Sequence, residues 1–262
     1  MLVSVLVTTR NEERNISDLL DSLVTQEPPL EILIVDAASE DGTCDIVREY
    51  ASRYGFIKLA VRGGTRAASR NYGIQVCVGD AVAFIDADCI ANPFWLKYLR
   101  EALQKSEVVA GKTIQIGYKP FEELERVELI YRGFDITYPS ANLAYHKGVL
   151  EGLGAFDDWF ITAEDIDLNL RAVKAGHSIL YEPRAIVYHR TRSSMYDFFR
   201  QALWNGAGRK QLTLKHGVLW GHYRPIEMVR RRLNFWSLSR IVMAMMGYVG
   251  YKFFGKDRPP AE

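Results

Sequence analysis

At 262 residues, 48% of them hydrophobic and 25% charged, the chain has the composition of a globular protein large enough for one extensive core, which excludes a disordered or fibrous chain. Its 33 Lys and Arg nearly cancel 32 Asp and Glu, and a net charge of +1 excludes a broad electrostatic partner such as nucleic acid. Cys44, Cys77 and Cys89 are odd in number and contain no C-x-x-C pair, and the opening MLVSVLVTT carries neither charged leader nor small-residue cleavage site, so a cytoplasmic protein with reduced thiols is expected.

The first half alternates β-rich and helix-forming runs: SVLVTT, NISDLLDSLVTQ, EILIVDA, TCDIVREYASRY, IKLAVR, a Gly/Arg loop and AVAFIDAD. That rhythm predicts βαβ units, hence an α/β protein with a Rossmann-like, mostly parallel central sheet flanked by helices. The runs from Val3 to Val7, Ile32 to Val35 and Ala81 to Ile85 are almost continuously apolar, as expected of strands covered on both faces. Ligands of open parallel sheets bind beyond the carboxyl ends of the strands. Here those ends present Thr8-Thr9-Arg10-Asn11-Glu12, Asp36-Ala37-Ala38 and Asp86-Ala87-Asp88 as one polar rim.

A helix is expected around Pro93 to Ser106, a strand near Val108 to Ile116, a variable stretch from Gly117 to Pro139, then SANLAY, the acidic helix EDIDLNLRAVKAGH, the strand SILYEPRAIVYH and a basic, aromatic stretch, RTRSSMYDFFRQALWNGAGRK. The tail is different. Arg230, Arg231 and Arg232 precede FWSLSRIVMAMMGYVGYKFFG, whose uncharged core from Ile241 to Tyr251 falls short of the ~20 residues a membrane-spanning helix needs. Basic and aromatic flanks suit a helix lying in the interface of an anionic membrane. The competing reading packs the same helix on the domain or in a homodimer.

Chemistry concentrates at the rim. AVAFIDADC ends a buried strand with Asp86 and Asp88 one residue apart. Carboxylates that close repel unless a cation compensates, and hard oxygen ligands suit Mg²⁺ or Mn²⁺ carrying a diphosphate; a helix N-cap plus a solvated acid is the plain alternative. Asp36 is placed to accept from a base imide or ribose hydroxyl, while Ser39 and Asp41 are better suited to cap the next helix. The loop RGGTRAASRNYGI offers Arg62, Arg66 and Arg70 to a diphosphate. Glu164 and Asp165 open the acidic helix, with Leu168, Leu170 and Val173 facing inward. The helix dipole alone accounts for acids there, but one held at the pocket rim is a candidate general base. His189 ends AIVYH ahead of Arg190 and Arg192, and is either a ligand of the same metal or phosphate or a surface histidine.

Assembled in order, these segments resemble the family 2 glycosyltransferases from about Val3 to Gly208. SVLVTTRNEERNISDLLDSL is similar to that family's first strand and helix, which implies that Glu12 lies near the nucleotide; ILIVDAASEDGT resembles its IVDDgSxDgT pattern, with Ala37 in place of the second acid and Asp36 implied at the base. RAASRNYGI resembles its A-x-R-N-x-G segment, which implies Arg66 and Asn71 near the donor. AFIDADC supplies the D-x-D motif, SANLAYHKGVLEGLGAFDD resembles the strand and GGFDE turn, and AEDIDLNLRAVKAGH is similar to the E-D-x-D-L-x-x-R helix. The resemblance implies a GT-A fold over 1–215 with a C-terminal helical, amphiphilic extension over 216–262. It implies an inverting transfer of sugar from a nucleotide donor, UDP favoured, with Asp165 as base, Glu164 beside it, and Mn²⁺ or Mg²⁺ at Asp88, His189 and Asp86. FFRQALWNGAG departs from the Q-x-x-R-W motif of processive members, which argues for single-sugar addition, and the basic tail suggests a lipid-linked acceptor. Two rivals are weighed: a sugar-phosphate nucleotidylyltransferase, which needs a glycine-rich loop that TTRNEERN lacks, and a non-catalytic, membrane-bound nucleotide-sugar-binding scaffold, which donor turnover distinguishes.

Overall fold

The computed structural model describes residues 1–122, 124, 126–191, 194–223 and 235–255; Arg192 and the arginines at 230–232 lie outside them. The N-terminal half is a run of βαβ units: β1 (Val3–Thr9), α1 (Ile16–Val24), β2 (Leu30–Asp36), α2 (Thr43–Arg53), β3 (Ile57–Val61), α3 (Arg66–Val76) and β4 (Ala81–Phe84). The second half adds β5 (Cys89–Ala91), α4 (Trp95–Leu103), β6 (Val108–Ile116), α5 (Lys119–Glu122), the small hairpin β7 (Ile130–Tyr131) and β8 (Phe134–Asp135), β9 (Leu143–His146), α6 (Lys147–Gly152), α7 (Glu164–Lys174), β10 (Ile179–Arg190), α8 (Met195–His216) and, numbered next among the described helices, α9 (Phe235–Phe254).

One eight-stranded sheet has the order β3-β2-β1-β4-β9-β6-β10-β5. Within it, only β9 and β5 run against the other strands. The register brings the rim together: Thr9 lies opposite Asp36, and Leu6 opposite Phe84, so β1, β2 and β4 end close to one level. At the other side His189 of β10 is paired with Cys89 of β5 and with Gln115 of β6. The β10 register shifts between Glu182 and Ile186, where Pro183 has no N–H to offer the ladder.

Both faces of the sheet are covered, which explains its unbroken apolar strands. Val3, Val5 and Val7 pack with Ile16, Leu19, Leu20 and Leu23 of α1 and with Trp95, Leu96 and Leu99 of α4. Those helix spacings of three and four residues are the inward stripes of amphipathic helices. Leu6, Val82 and Phe84 face the opposite layer, where Ile74 of α3 and Leu168, Leu170 and Val173 of α7 are buried. Gly73 lets α3 approach β1 closely, since a Cβ there would stand 2.3 Å from Leu6 Cδ1.

The basic, aromatic stretch after β10 is the 22-residue helix α8, capped by Ser194, whose hydroxyl accepts from the Asp197 amide at 3.1 Å. The tail helix α9 packs along α8. No described helix is long and apolar enough to cross a membrane.

Candidate active site

Backbone geometry shapes the rim before any side chain acts. Asn11, Ala38 and Ala163 all take left-handed conformations (φ 56°, 59° and 68°), a strained choice for alanine that concentrates where loops are over-determined around ligands. The β1 and β2 loops are latched to each other: the Asn11 amide donates to Ser39 Oγ at 2.8 Å and the Glu40 amide to Asn11 Oδ1 at 2.9 Å. Asp36 is fully buried, accepting from the Ser39 amide at 2.7 Å and the Ser39 hydroxyl at 2.5 Å. Of the two expected caps, Asp41 does bond the Thr43 amide and hydroxyl at the start of α2, while Ser39 is committed to Asp36. Thr8 is half-buried at the end of β1, Arg10 is exposed, and Glu12 accepts from the Asn15 amide group at 2.7 Å.

The middle of the rim is a charge ladder. Arg70, only 2% exposed, donates to Glu164 Oε1 at 2.6 Å and to Asp86 Oδ1 at 3.3 Å, with its guanidinium 5.3 Å from the Phe156 ring centroid. It thereby joins the D-x-D strand end to the start of α7. This corrects the expectation that Arg62, Arg66 and Arg70 act as one diphosphate-neutralising set. Arg70 is internal, Arg62 lies over the Tyr72 ring at 4.8 Å, and Arg66 alone of the three reaches the rim from an exposed position, 4.0 Å from Glu164. The reason is the helix itself: Arg66 and Arg70 are one turn apart in α3, so the second points into the layer that the first overhangs. Partial burial opposes the Arg66 charge, but Asp86, then Glu164, Asp165 and Asp88 raise its pKa. Asn71 uses both ends of its amide on Phe156, donating to its carbonyl at 2.8 Å and accepting from its amide at 2.9 Å, and so braces α3 against the GAFD turn.

Asp165 sits at the opening of α7, where its Oδ1 accepts from the Ile166 amide at 2.8 Å and Oδ2 from the Ser140 amide at 3.2 Å. Burial, then the neighbouring Glu164 charge, pushes its carboxyl up to about 6 against the opposing pull of Arg70. A carboxyl so tuned is ionised at neutral pH yet basic enough to take a proton.

Asp88, next to the buried Ala87, faces a second group. His189 Nε2 stands 3.4 Å from Asp88 Oδ1, and Cys89 Sγ 3.9 Å from the same oxygen; the three ligand atoms lie within 4.8 Å of one another. His189 Nδ1 is 3.0 Å from Gln115 Oε1. With Nδ1 donating to that amide oxygen, the Nε2 lone pair is turned toward a carboxylate oxygen, so the two could serve as ligands of one divalent ion. Burial, and next the Asp86 and Asp88 charges, raises the Cys89 pKa and so disfavours its thiolate.

The sequence matches the family model described as Glycosyl transferase family 2 over residues 4–147, more than half of the chain, and that of Glycosyl transferase family group 2 over 81–254. The chain belongs to the family 2 glycosyltransferases. The chain is 30% identical over 237 residues, 81% of its length, to the "Probable glycosyltransferase YdaM" of Bacillus subtilis (strain 168), and spans 56% of that relative. Its fold is that of the GT-A glycosyltransferases. It superposes with TM-score 0.68 and 20% identity on the mannosyltransferase PcManGT from Pyrobaculum calidifontis in complex with GDP-Man and Mn²⁺, covering 97% of this chain and 76% of that one. On S. aureus TarS 1-349 in complex with UDP-GlcNAc the TM-score is 0.62 at 20% identity, covering 97% and 73%.

Three residues at or beside the rim escape sequence reasoning. Gln115 aligns His189 through a strand pairing that no local pattern announces. Cys89, next to Asp88 in sequence, meets His189 only because β5 turns back against β10. Gln211 of α8 is fully buried and grips the loop ahead of Glu164, accepting from the Ile161 amide at 2.9 Å and donating to the Trp159 carbonyl at 2.7 Å. No local signal marks it, because α8 has no clean amphipathic stripe.

Proposed function

We propose that this glycosyltransferase moves a single sugar from a nucleoside diphosphate sugar, UDP favoured, to an acceptor hydroxyl with inversion, in a reaction that depends on Mn²⁺ or Mg²⁺. The observation that supports the reading is the Arg70 bridge, which joins Asp86 to Glu164 and so brings the D-x-D strand end beside the start of α7, where the raised carboxyl of Asp165 lies. Thr8, Arg10, Glu12 and Asp36 form the nucleotide side, with Asp36 prepared for a base imide or ribose hydroxyl by its Ser39 bonds. Asp86 and the Ala87 backbone meet the ribose and diphosphate. Asn71 serves the donor through the Phe156 turn that it braces.

Asp165 takes the proton from the acceptor hydroxyl as that oxygen attacks the anomeric carbon and the bond to the diphosphate breaks, which inverts the configuration. Glu164 is paired with Arg70 at 2.6 Å and sits beside the base. Arg66, exposed at the opening and made more basic by four acids, is placed against the departing diphosphate. Asp88 and His189, with Asp86 near, fit a divalent ion, because an imidazole lone pair and a carboxylate oxygen already face each other at 3.4 Å. Such an ion supplies compensation of leaving-group charge. The three cysteines are free, in keeping with a cytoplasmic location.

The test is calorimetric titration of UDP-, GDP- and dTDP-sugars into the protein, with and without Mn²⁺, repeated on Asp88→Ala. One nucleotide is expected to bind, metal to tighten it, and the variant to lose that gain. Binding of no nucleotide sugar overturns the reading, and binding without turnover in the presence of acceptor extracts favours the scaffold.

A further inference from the structure

A buried asparagine inside a helix needs a reason, because its amide competes with the backbone and gains nothing from an apolar layer. Asn169, in the middle of α7, is fully buried. Its Nδ2 donates to the Ile136 and Tyr138 carbonyls, each at 3.0 Å, and its Oδ1 accepts from the equally buried Tyr145 hydroxyl of β9 at 2.5 Å. Both N–H donors and the amide oxygen are therefore engaged.

The two carbonyls belong to a stretch outside every strand, residues 136–139, which follows β8. Side chains of α7 take the place of a neighbouring strand there. Asn169 holds the carbonyls of 136 and 138, and Asp165, one turn earlier on the same side of the helix, accepts from the Ser140 amide at 3.2 Å. Pro139 joins the two holds: its ring fixes φ, here −77° with ψ 148°, and it has no N–H to satisfy. Beyond Ser140 the chain is pinned again. Asn142, fully buried, donates to the Lys112 and Ala185 carbonyls at 3.0 and 2.9 Å and accepts from Trp95 Nε1 at 2.8 Å.

The Ser140 N–H is thus fixed from both sides and aimed at Asp165 Oδ2. Oδ1 is bonded only within its own helix, to the Ile166 amide, so the bond from Ser140 is the one that sets the plane of the carboxylate. A general base has to be aimed as well as ionised.

We propose that Asn169 is a positioning residue for sugar transfer: by holding the Ile136 and Tyr138 carbonyls it keeps the Ser140 amide on Asp165 Oδ2, and so sets the direction from which that carboxylate meets the acceptor hydroxyl. The inference rests on the sugar-transfer reading and adds to it a residue that acts through Ser140.

Donor affinity is measured by calorimetry with whichever UDP-, GDP- or dTDP-sugar binds in Mn²⁺, and turnover as release of its nucleoside diphosphate with water or a cell extract as acceptor. Asn169→Leu fills the space without a donor, and Asn169→Ser keeps one O–H and guards against misfolding. Ser140→Pro deletes the amide donor itself at a position where proline fits, the first residue of a 3₁₀ turn behind extended backbone. Leu103→Ala is the control for lost stability: it is buried beside His146, which pairs with Ala81 at the end of β4 away from Asp86.

Asn169→Leu and Ser140→Pro are each expected to lower kcat about tenfold or more with donor affinity within about twofold of wild type. Asn169→Ser falls between, and Leu103→Ala keeps its kcat. In Ser140→Pro the acid limb of the rate moves to higher pH, because a hydrogen bond that favoured the carboxylate is gone while Glu164, Arg70 and Arg66, the charges facing Asp165, stay in place. Asn169→Leu combined with Ser140→Pro should be no slower than Ser140→Pro alone, since both act on one bond. Wild-type kcat in both Asn169 variants, an equal loss in Leu103→Ala, or losses that add in the combined variant overturn the inference and leave the transfer reading standing. Wild type that binds no nucleotide sugar, or binds one and releases no diphosphate, removes the transfer reading and the inference with it.

Discussion

Asp165 and Glu164 are adjacent in sequence and unlike in environment. Glu164 is paired with Arg70 at 2.6 Å, whereas Asp165 is held by two backbone amides and raised to about 6 by burial and by Glu164. A base acts in its ionised form, so the transfer rate should fall as pH is lowered through about 6 and level off above it, a limb seen in kcat/KM against pH. Asp165→Asn is expected to lower kcat by about 10²- to 10⁴-fold, to abolish that limb and to leave donor affinity unchanged by calorimetry. Retention of both rate and limb in Asp165→Asn would remove it from the role. The acids themselves were visible as a pair at a helix start. That Asp165 is raised was not, because burial, its leading cause, is set by tertiary packing.

At the scale of elements, α8 is the piece whose importance depends most on its neighbours. Its sequence mixes aromatic and basic residues without a clean amphipathic stripe, since it is contacted on several sides: by α9, by the loop from Trp159 to Ala163 and by α7. The crossing with α9 works only because Gly206 and Gly247 carry no side chain. Gly206→Val should drive the helices apart at a cost of about 3 kcal/mol. In hydrogen exchange, amides of α9 should lose protection while those of β1 to β4 keep it; uniform protection across both regions would contradict the close crossing. The N-terminal βαβ units were by contrast readable at once, because buried parallel strands and inward helix stripes are local patterns that need no partner to be recognised.

At the scale of the whole molecule, a second buried charged cluster sits away from the rim. Asp167 is fully buried and accepts from Arg171 Nε at 2.8 Å, Lys215 Nζ at 2.6 Å and His216 Nε2 at 2.7 Å; Lys215 also reaches Asp157 at 2.7 Å. These bonds tie α7, the end of α8 and the turn after α6 into one body. Burial opposes the Asp167 charge, but the His216 hydrogen bond, Arg171 and Lys215 outweigh it and hold the carboxyl down at about 2. A depressed folded pKa contributes stability that is fully present above the ordinary carboxylate range, near 4, and is lost as pH falls from there through about 2. Asp167→Asn is expected to cost about 3 kcal/mol in urea unfolding at neutral pH, because it strands buried cations, and to flatten the acid limb of stability. An unchanged midpoint would show the cluster to be dispensable.

The sequence by itself determined the α/β class, the family, the polar rim at three strand ends and the identity of the acids at that rim, since each of these is written in short-range periodicity or in a motif a few residues long. Tertiary structure alone decided that Arg70 is an internal bridge, that Gln115 orients His189, that Gln211 steadies the approach to Asp165 and that α9 lies on α8 with one apolar side left outward. Those four depend on strand register, helix crossing and burial, which bring together residues tens of positions apart and have no local signature.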